Sequence, residues 1–157
     1  MPLMRTSGLA SSLWRASLAL LLALITAASY AQFSNPADDV AAYHAGPPRP
    51  GEHVAPILSG SALHGPAFRF PWQLKVYKLA VRIPNVIWQL PCQCRCDRTL
   101  GHTSLHSCFE TTHGTACSEC ARETVYAWQM TQKGMTPAQI RQGIVRGDYN
   151  SIDLNHI

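Results

Sequence analysis

The sequence predicts a small, mostly α domain built around an irregular Cys/His-rich loop. Three observations point there. Apolar residues recur at steps of three and four on both sides of residues 92–116, helix start and stop signals bracket a further segment near the C-terminus, and all six cysteines fall between Cys92 and Cys120. A chain of 157 residues has room for one domain of this kind.

At the N-terminus, Arg5 and Arg15 precede the apolar run Ala16 to Ala28, which leads to Ser29-Tyr30-Ala31 and then Gln32. A basic lead, a short apolar stretch and a small-residue site are the parts of a secretory signal peptide. The run is shorter than the roughly 20 residues a helix needs to cross a bilayer. Residues 1–31 are therefore expected to be removed, leaving no stable membrane span and a periplasmic or secreted product. No cysteine follows the cleavage site, so a lipid anchor is not indicated.

Removing that segment takes away two of the 13 basic residues and none of the nine acidic ones, so the mature chain is only weakly basic. Its basic side chains are scattered singly, without the basic stripe of a nucleic-acid-binding face. No nucleic-acid partner is expected.

Residues 32–71 are rich in Pro, Gly, Ala and His around Gly46-Pro47-Pro48-Arg49-Pro50-Gly51, with no sustained apolar period. This composition predicts a Pro/Gly-rich linker or disordered arm ahead of a Cys-rich helical domain at 72–157. His44, His53 and His64 are too far apart to read as a metal tract and are expected to be solvated.

Between Gln73 and Leu90, Val76, Leu79, Ala80, Ile83, Ile87 and Leu90 trace one helical face. Pro84 interrupts it, so a helix should end near Val81 or Arg82 and a second should start with Pro84 in its first turn, where the missing N–H costs nothing. From Cys117 the helical period returns through Cys120, Ala121, Thr124, Val125 and Trp128, with Gly134 at the stop. Thr136-Pro137-Ala138-Gln139 announces a last helix through a capping box, Ile140 and Ile144 give it an apolar side, and Gly147 closes it. Trp88, Tyr126 and Trp128 are expected in the core.

Residues 92–116 hold no regular run, and a loop of that length in a compact domain calls for a cross-link, by metal or disulfide. Cys92, Cys94 and Cys96 alternate with Gln93 and Arg95; in an extended backbone they would point the same way, and neighbours two apart make strained disulfides with each other. Downstream lie His102, His106 and Cys108, then His113 ahead of Cys117-x2-Cys120, a metal-ligand spacing at a helix start. The helix dipole with Arg95 and Arg98 is expected to lower the thiol pKa values. The spacings of c-type haem, ferredoxin clusters and the two-Cys, two-His zinc finger are absent. There is also no Gly-rich phosphate loop or nucleophile elbow, and Asp97, Glu110 and Glu119 are expected to be solvated.

Pro91-Cys92-Gln93-Cys94-Arg95-Cys96, followed by Gly101-His102, Cys108-Phe109, His113 and Cys117 with Cys120, resembles the PCYCGC or CYCXC motif family of exported bacterial proteins. The resemblance extends over roughly Tyr77 to Tyr149, taking in Ile83 to Leu90 and Met135 to Ile144. It implies that the six cysteines are the family's shared thiol set. Selenoprotein members imply thiol redox chemistry in part of that family. Gln93 stands where the family often has Tyr, and Arg95 where Gly is common; a bulky cation between two sulfurs could alter which partner is accepted.

Three readings follow from the cluster. In the first, Cys92, Cys94, Cys96, Cys108, Cys117, Cys120, His102 and His113 bind a soft metal ion, Cu(I) or Zn(II), for metal handling involving another exported protein or for structural purposes. In the second, the cysteines form three structural disulfides that staple a small core, which accounts for their number and not for the histidines. In the third, the domain exchanges disulfides, with Cys92, Cys94 or Cys96 attacking and Cys117 or Cys120 resolving. The sequence favours the first, and a thiol–disulfide oxidoreductase is the one enzyme class it leaves open.

Overall fold

Helix α1, Pro71–Arg82, starts with Pro71 in its first turn and buries Val76 and Ala80 of the expected stripe together with Gln73 and Tyr77, with Leu79 partly buried against the core. The structure, a computed structural model, describes residues 39–157; the expected signal peptide and the first residues of the arm lie outside the described residues. Gln73 does double duty at the helix start: its Oε1 accepts from the Phe70 amide at 2.8 Å and its Nε2 donates to the Thr115 carbonyl at 2.7 Å. The chain breaks at Ile83 and restarts as α2, Pro84–Trp88, with Pro84 opening the new turn.

Residues 92–116 contain a one-turn helix, α3 (Cys96–Thr99), and two 3-10 turns, Leu105–Phe109 and Thr112–Thr115. Helix α4, Ser118–Gln132, lies at the centre of the packing, against α1, α2 and both 3-10 turns. Gly134, at φ 78°, ends that helical stretch. Helix α5, Pro137–Arg146, carries the expected capping box: Thr136 Oγ1 accepts from the Gln139 amide and Gln139 Oε1 accepts from the Thr136 amide. It packs on α4 so closely that Gly143 lies against the Tyr126 ring, where a Cβ would collide with the phenol. Two further 3-10 turns, Asp148–Ser151 and Leu154–His156, return the C-terminus to α4. There is no strand among the described residues.

The core is continuous from α1 to α5. Tyr77, Ile87, Leu90, Leu105, Phe109, Ile140 and Ile144 are fully buried in it. Tyr77 meets Phe109 edge to face at 5.0 Å and donates to the Thr111 carbonyl at 2.6 Å. Trp88 and Tyr126 are buried as expected, and Trp128 is partly so, with Arg82 above its ring.

The segment before α1 has the irregular backbone its composition predicts, but over residues 40–70 it is docked rather than loose. Ala41 is buried, Ile57, Leu58, Leu63 and Phe68 pack on the core, and the Leu58 amide donates to the Phe109 carbonyl at 2.9 Å. His44, expected to be solvated, stacks on Trp88 at 3.7 Å. Isolated apolar residues between Pro and Gly show no periodicity, yet each can still reach the core, and their burial offsets the entropy of ordering the segment. Val40–Ile157 accordingly form one compact unit.

Candidate metal centre

The first three cysteines follow α2 directly. They are not extended: the Arg95 amide donates to the Cys92 carbonyl at 3.1 Å, closing a turn, and Arg95 itself is left-handed at φ 61°, ψ 32°. The sulfurs still converge, Cys92 to Cys94 at 3.0 Å and Cys94 to Cys96 at 3.0 Å, because the turn folds the chain back where an alternating strand would have spread it. The turn is pinned to α4 by Glu123, whose Oε1 accepts from the Gln93 amide at 2.8 Å.

From the other side, α4 supplies the C-x2-C pair. Cys117 is the N-cap, its sulfur accepting from the Cys120 amide at 3.4 Å, and Cys120 sits one turn in, on the buried face. Cys120 Sγ lies 3.2 Å from Cys92 Sγ, 3.6 Å from Cys94 Sγ and 3.4 Å from Cys108 Sγ. Cys108, in the first 3-10 turn, also touches Cys92 at 3.4 Å. None of the six cysteines is paired in a disulfide.

The histidines close the assembly. His113 Nε2 is 3.3 Å from Cys96 Sγ, and His102 Nδ1 is 3.4 Å from Cys108 Sγ. Their rings meet edge to face at 5.1 Å. His113 is placed by the second 3-10 turn, where Thr111 Oγ1 accepts its amide at 3.2 Å. Behind it Gly114 passes so near the Cys108 carbonyl, Phe109 and the Tyr77 hydroxyl that a Cβ would stand 2.9 to 3.0 Å from each. His106 is turned away, paired with Glu110 at 2.9 Å and edge-on to Trp88.

Two sets of donors emerge, each with its ligand atoms within 4.8 Å of one another: Cys92, Cys94 and Cys120, and Cys96, His102 and His113. Soft thiolates with imidazoles suit Cu(I) or Zn(II), and about 3.7 Å separates two sulfurs on one tetrahedral zinc, so sulfurs 3.0 to 3.6 Å apart can close on an ion with little movement. Among the eight residues singled out from the sequence, these six fall into the two sets; Cys108 adjoins both, and Cys117 lies beside Cys120 at the helix start.

The charge state differs from the sequence-based expectation. Hydrogen bonds from Cys108, Cys117, Cys120 and Cys92 hold the Cys94 thiol well below the usual range, which favours its thiolate. Its neighbours move the other way. Burial and the Cys94 charge push Cys96 up to about 12. Cys92 rises to about 11 although Cys108 and Cys120 hydrogen-bond its sulfur, since contact with Cys94 and burial outweigh them. Cys117 also rises to about 11: a hydrogen bond from Cys120 favours its thiolate, and Cys94 and burial oppose it. Arg95 does not set these values; it pairs with Asp97 at 3.3 Å. His102 is lowered by burial and by His113, which favours the neutral imidazole a metal requires.

Glu123 was not legible as a site residue. It is fully buried, burial pushes its carboxyl well above the ordinary value, and its Oε2 has no hydrogen-bond partner. The available signal was its position three residues after Cys120, on the same buried face of α4. The carboxylates expected to be solvated are all engaged: Asp97 accepts the Ala42 amide at 3.2 Å, Glu110 holds His106, and Glu119 accepts the Tyr149 hydroxyl at 3.1 Å.

The sequence model of the family described as "Protein of unknown function with PCYCGC motif" matches residues 70–151, more than half of the chain. The chain belongs to the PCYCGC family. The matched span of the PCYCGC domain runs from the start of α1 to the 3-10 turn after α5 and includes every donor of both sets. Neither the curated proteins nor the solved structures hold a match to the chain. In this PCYCGC protein Arg95 stands at the Gly of the motif, and its left-handed backbone is one that Gly adopts without strain. No described helix is long and apolar enough to cross a membrane.

Proposed function

We propose that this PCYCGC protein is an exported soft-metal-binding protein, taking up copper or zinc through its Cys/His cluster. It either passes the ion to another exported protein or uses it to hold residues 92–116 in place. The observation that carries the reading is the convergence of Cys92, Cys94 and Cys120 sulfurs beside the Cys96, His102 and His113 set. A packing or disulfide role alone gives no reason for two imidazole nitrogens to lie against sulfurs at 3.3 and 3.4 Å. Export rests on the basic lead, the short apolar run and the small-residue site at residues 1–31.

The test is elemental analysis and intact mass of the mature protein, purified from an oxidising compartment without added metal, with a free-thiol count. Bound copper or zinc with thiols free or protected by metal is the expected result. No metal, no thiols and a mass lower by six protons would overturn it in favour of a disulfide-stapled domain.

Thiol–disulfide exchange is the second reading, favoured by the Cys94 sulfur lying 3.0 Å from both Cys92 and Cys96 with its thiol held below the usual range. It predicts turnover with a disulfide substrate, lost in Cys94→Ser.

A further inference from the structure

We infer that the cluster is built for two soft cations held side by side and joined through shared thiolates, with the histidine-bearing site as the one that exchanges. The inference rests on the metal-binding reading and adds to it the number of ions, their linkage and their order of release.

Ligand number is the first argument. Six sulfurs and two imidazoles exceed what one ion accepts, since Zn(II) takes four such donors. The donors also do not surround one point; they divide into a thiolate set, Cys92, Cys94 and Cys120, and a mixed set, Cys96, His102 and His113. Linkage is the second. Cys94 Sγ stands 3.0 Å from Cys92 of the first set and 3.0 Å from Cys96 of the second, so one thiolate reaches both ions. On the other side, Cys108 Sγ stands 3.4 Å from Cys92 and Cys120 and 3.4 Å from His102 Nδ1, the position of a second bridge. Shared thiolates let few negative charges serve two cations, which suits a cluster whose first set is largely buried.

Accessibility sets the order. In the first set Cys92 and Cys120 are buried and Cys94 partly so, while in the second only Cys96 is buried and both imidazoles are partly open to solvent. An ion on the mixed set has fewer thiolates and a shorter path to solvent, so it binds more weakly and leaves first.

Cu(I) is the probe, added to the reduced, oxygen-free mature protein in competition with a Cu(I) chelator. Native mass spectrometry reads stoichiometry and X-ray absorption reads scattering between metals. Two ions per chain, taken up in two steps of different affinity and showing a metal–metal shell, are expected. In His113→Ala the weaker step should disappear while one tightly held ion remains. Cys94→Ser should lose the metal–metal shell. One ion per chain, or two without that shell, overturns the shared cluster while leaving metal binding intact; no bound copper, with no bound Zn(II) in a parallel titration, overturns both. Loss of the tighter ion in His113→Ala, with that variant folded by circular dichroism, would overturn the assigned order.

Discussion

Cys94 and Cys96 bring their sulfurs within 3.0 Å across a residue, Arg95, that is left-handed at φ 61°. A non-glycine side chain in that conformation costs about 1–2 kcal/mol. The hub therefore depends on a left-handed backbone at a non-glycine residue, where the PCYCGC motif itself carries Gly.

Arg95→Gly should relieve that strain. The gain is reduced by the entropy of a glycine in the unfolded chain and by loss of the pair with Asp97, leaving a protein more stable by up to about 1 kcal/mol. Arg95→Val should lose at least about 1 kcal/mol, because a β-branched side chain tolerates positive φ poorly. Urea unfolding of the two variants, run beside the parent protein, checks the signs; equal stability for Gly and Val would sink the argument.

Gly114→Ala should be destabilising by about 1–3 kcal/mol, since its Cβ would meet backbone and aromatic atoms that cannot give way. The displacement falls on the turn that carries His113. Cu(I) affinity at the mixed set should therefore weaken as well, readable by chelator competition. A variant with unchanged unfolding midpoint and unchanged affinity would show that the turn has room to spare.

Glu123→Ala should cost about 1–2 kcal/mol by leaving the half-buried Gln93 amide without its acceptor, and it should loosen the turn that holds Cys92 and Cys94. Glu123→Gln keeps an acceptor of the same size. Its unfolding midpoint should stay near the parent's, so the contrast between the two variants, measured by chemical denaturation, isolates the hydrogen bond from the charge.

His44 supplies a pH dependence. Burial against Trp88 pushes its imidazole below the ordinary value, with Glu52 opposing and His106 adding. The unfolded chain binds this proton near pH 6.5 and the folded chain only at lower pH, so stability is unaffected above about pH 6.5 and falls as pH drops below it. His44→Phe keeps an aromatic ring on Trp88 and removes the proton. The drop in melting temperature between pH 7.5 and 5.5 should be smaller in that variant than in the parent; an equal drop would place the acid sensitivity elsewhere.

The sequence by itself determined helices α1, α2, α4 and α5 and the chemistry of the donors, while the short α3 and the 3-10 turns inside residues 92–116 carry no period it could show. Helical spacing, Pro84 and Pro137 in first turns, the Thr136 capping box and Gly134 and Gly147 at the stops are local signals, and the structure keeps each of them. The crowding of six cysteines with His102 and His113 likewise pointed, from residue type alone, to donors that the fold brings together. Only the tertiary structure decided how those donors divide. That division depends on pairs such as Cys92 with Cys120, 28 residues apart, and His113 with Cys96, 17 apart, which no local period encodes. The same holds for Glu123 beneath the turn, for the docking of residues 40–70 on the core, and for the lowered pKa of the Cys94 thiol. Burial and charge contact set these, and both exist only once distant segments have come together.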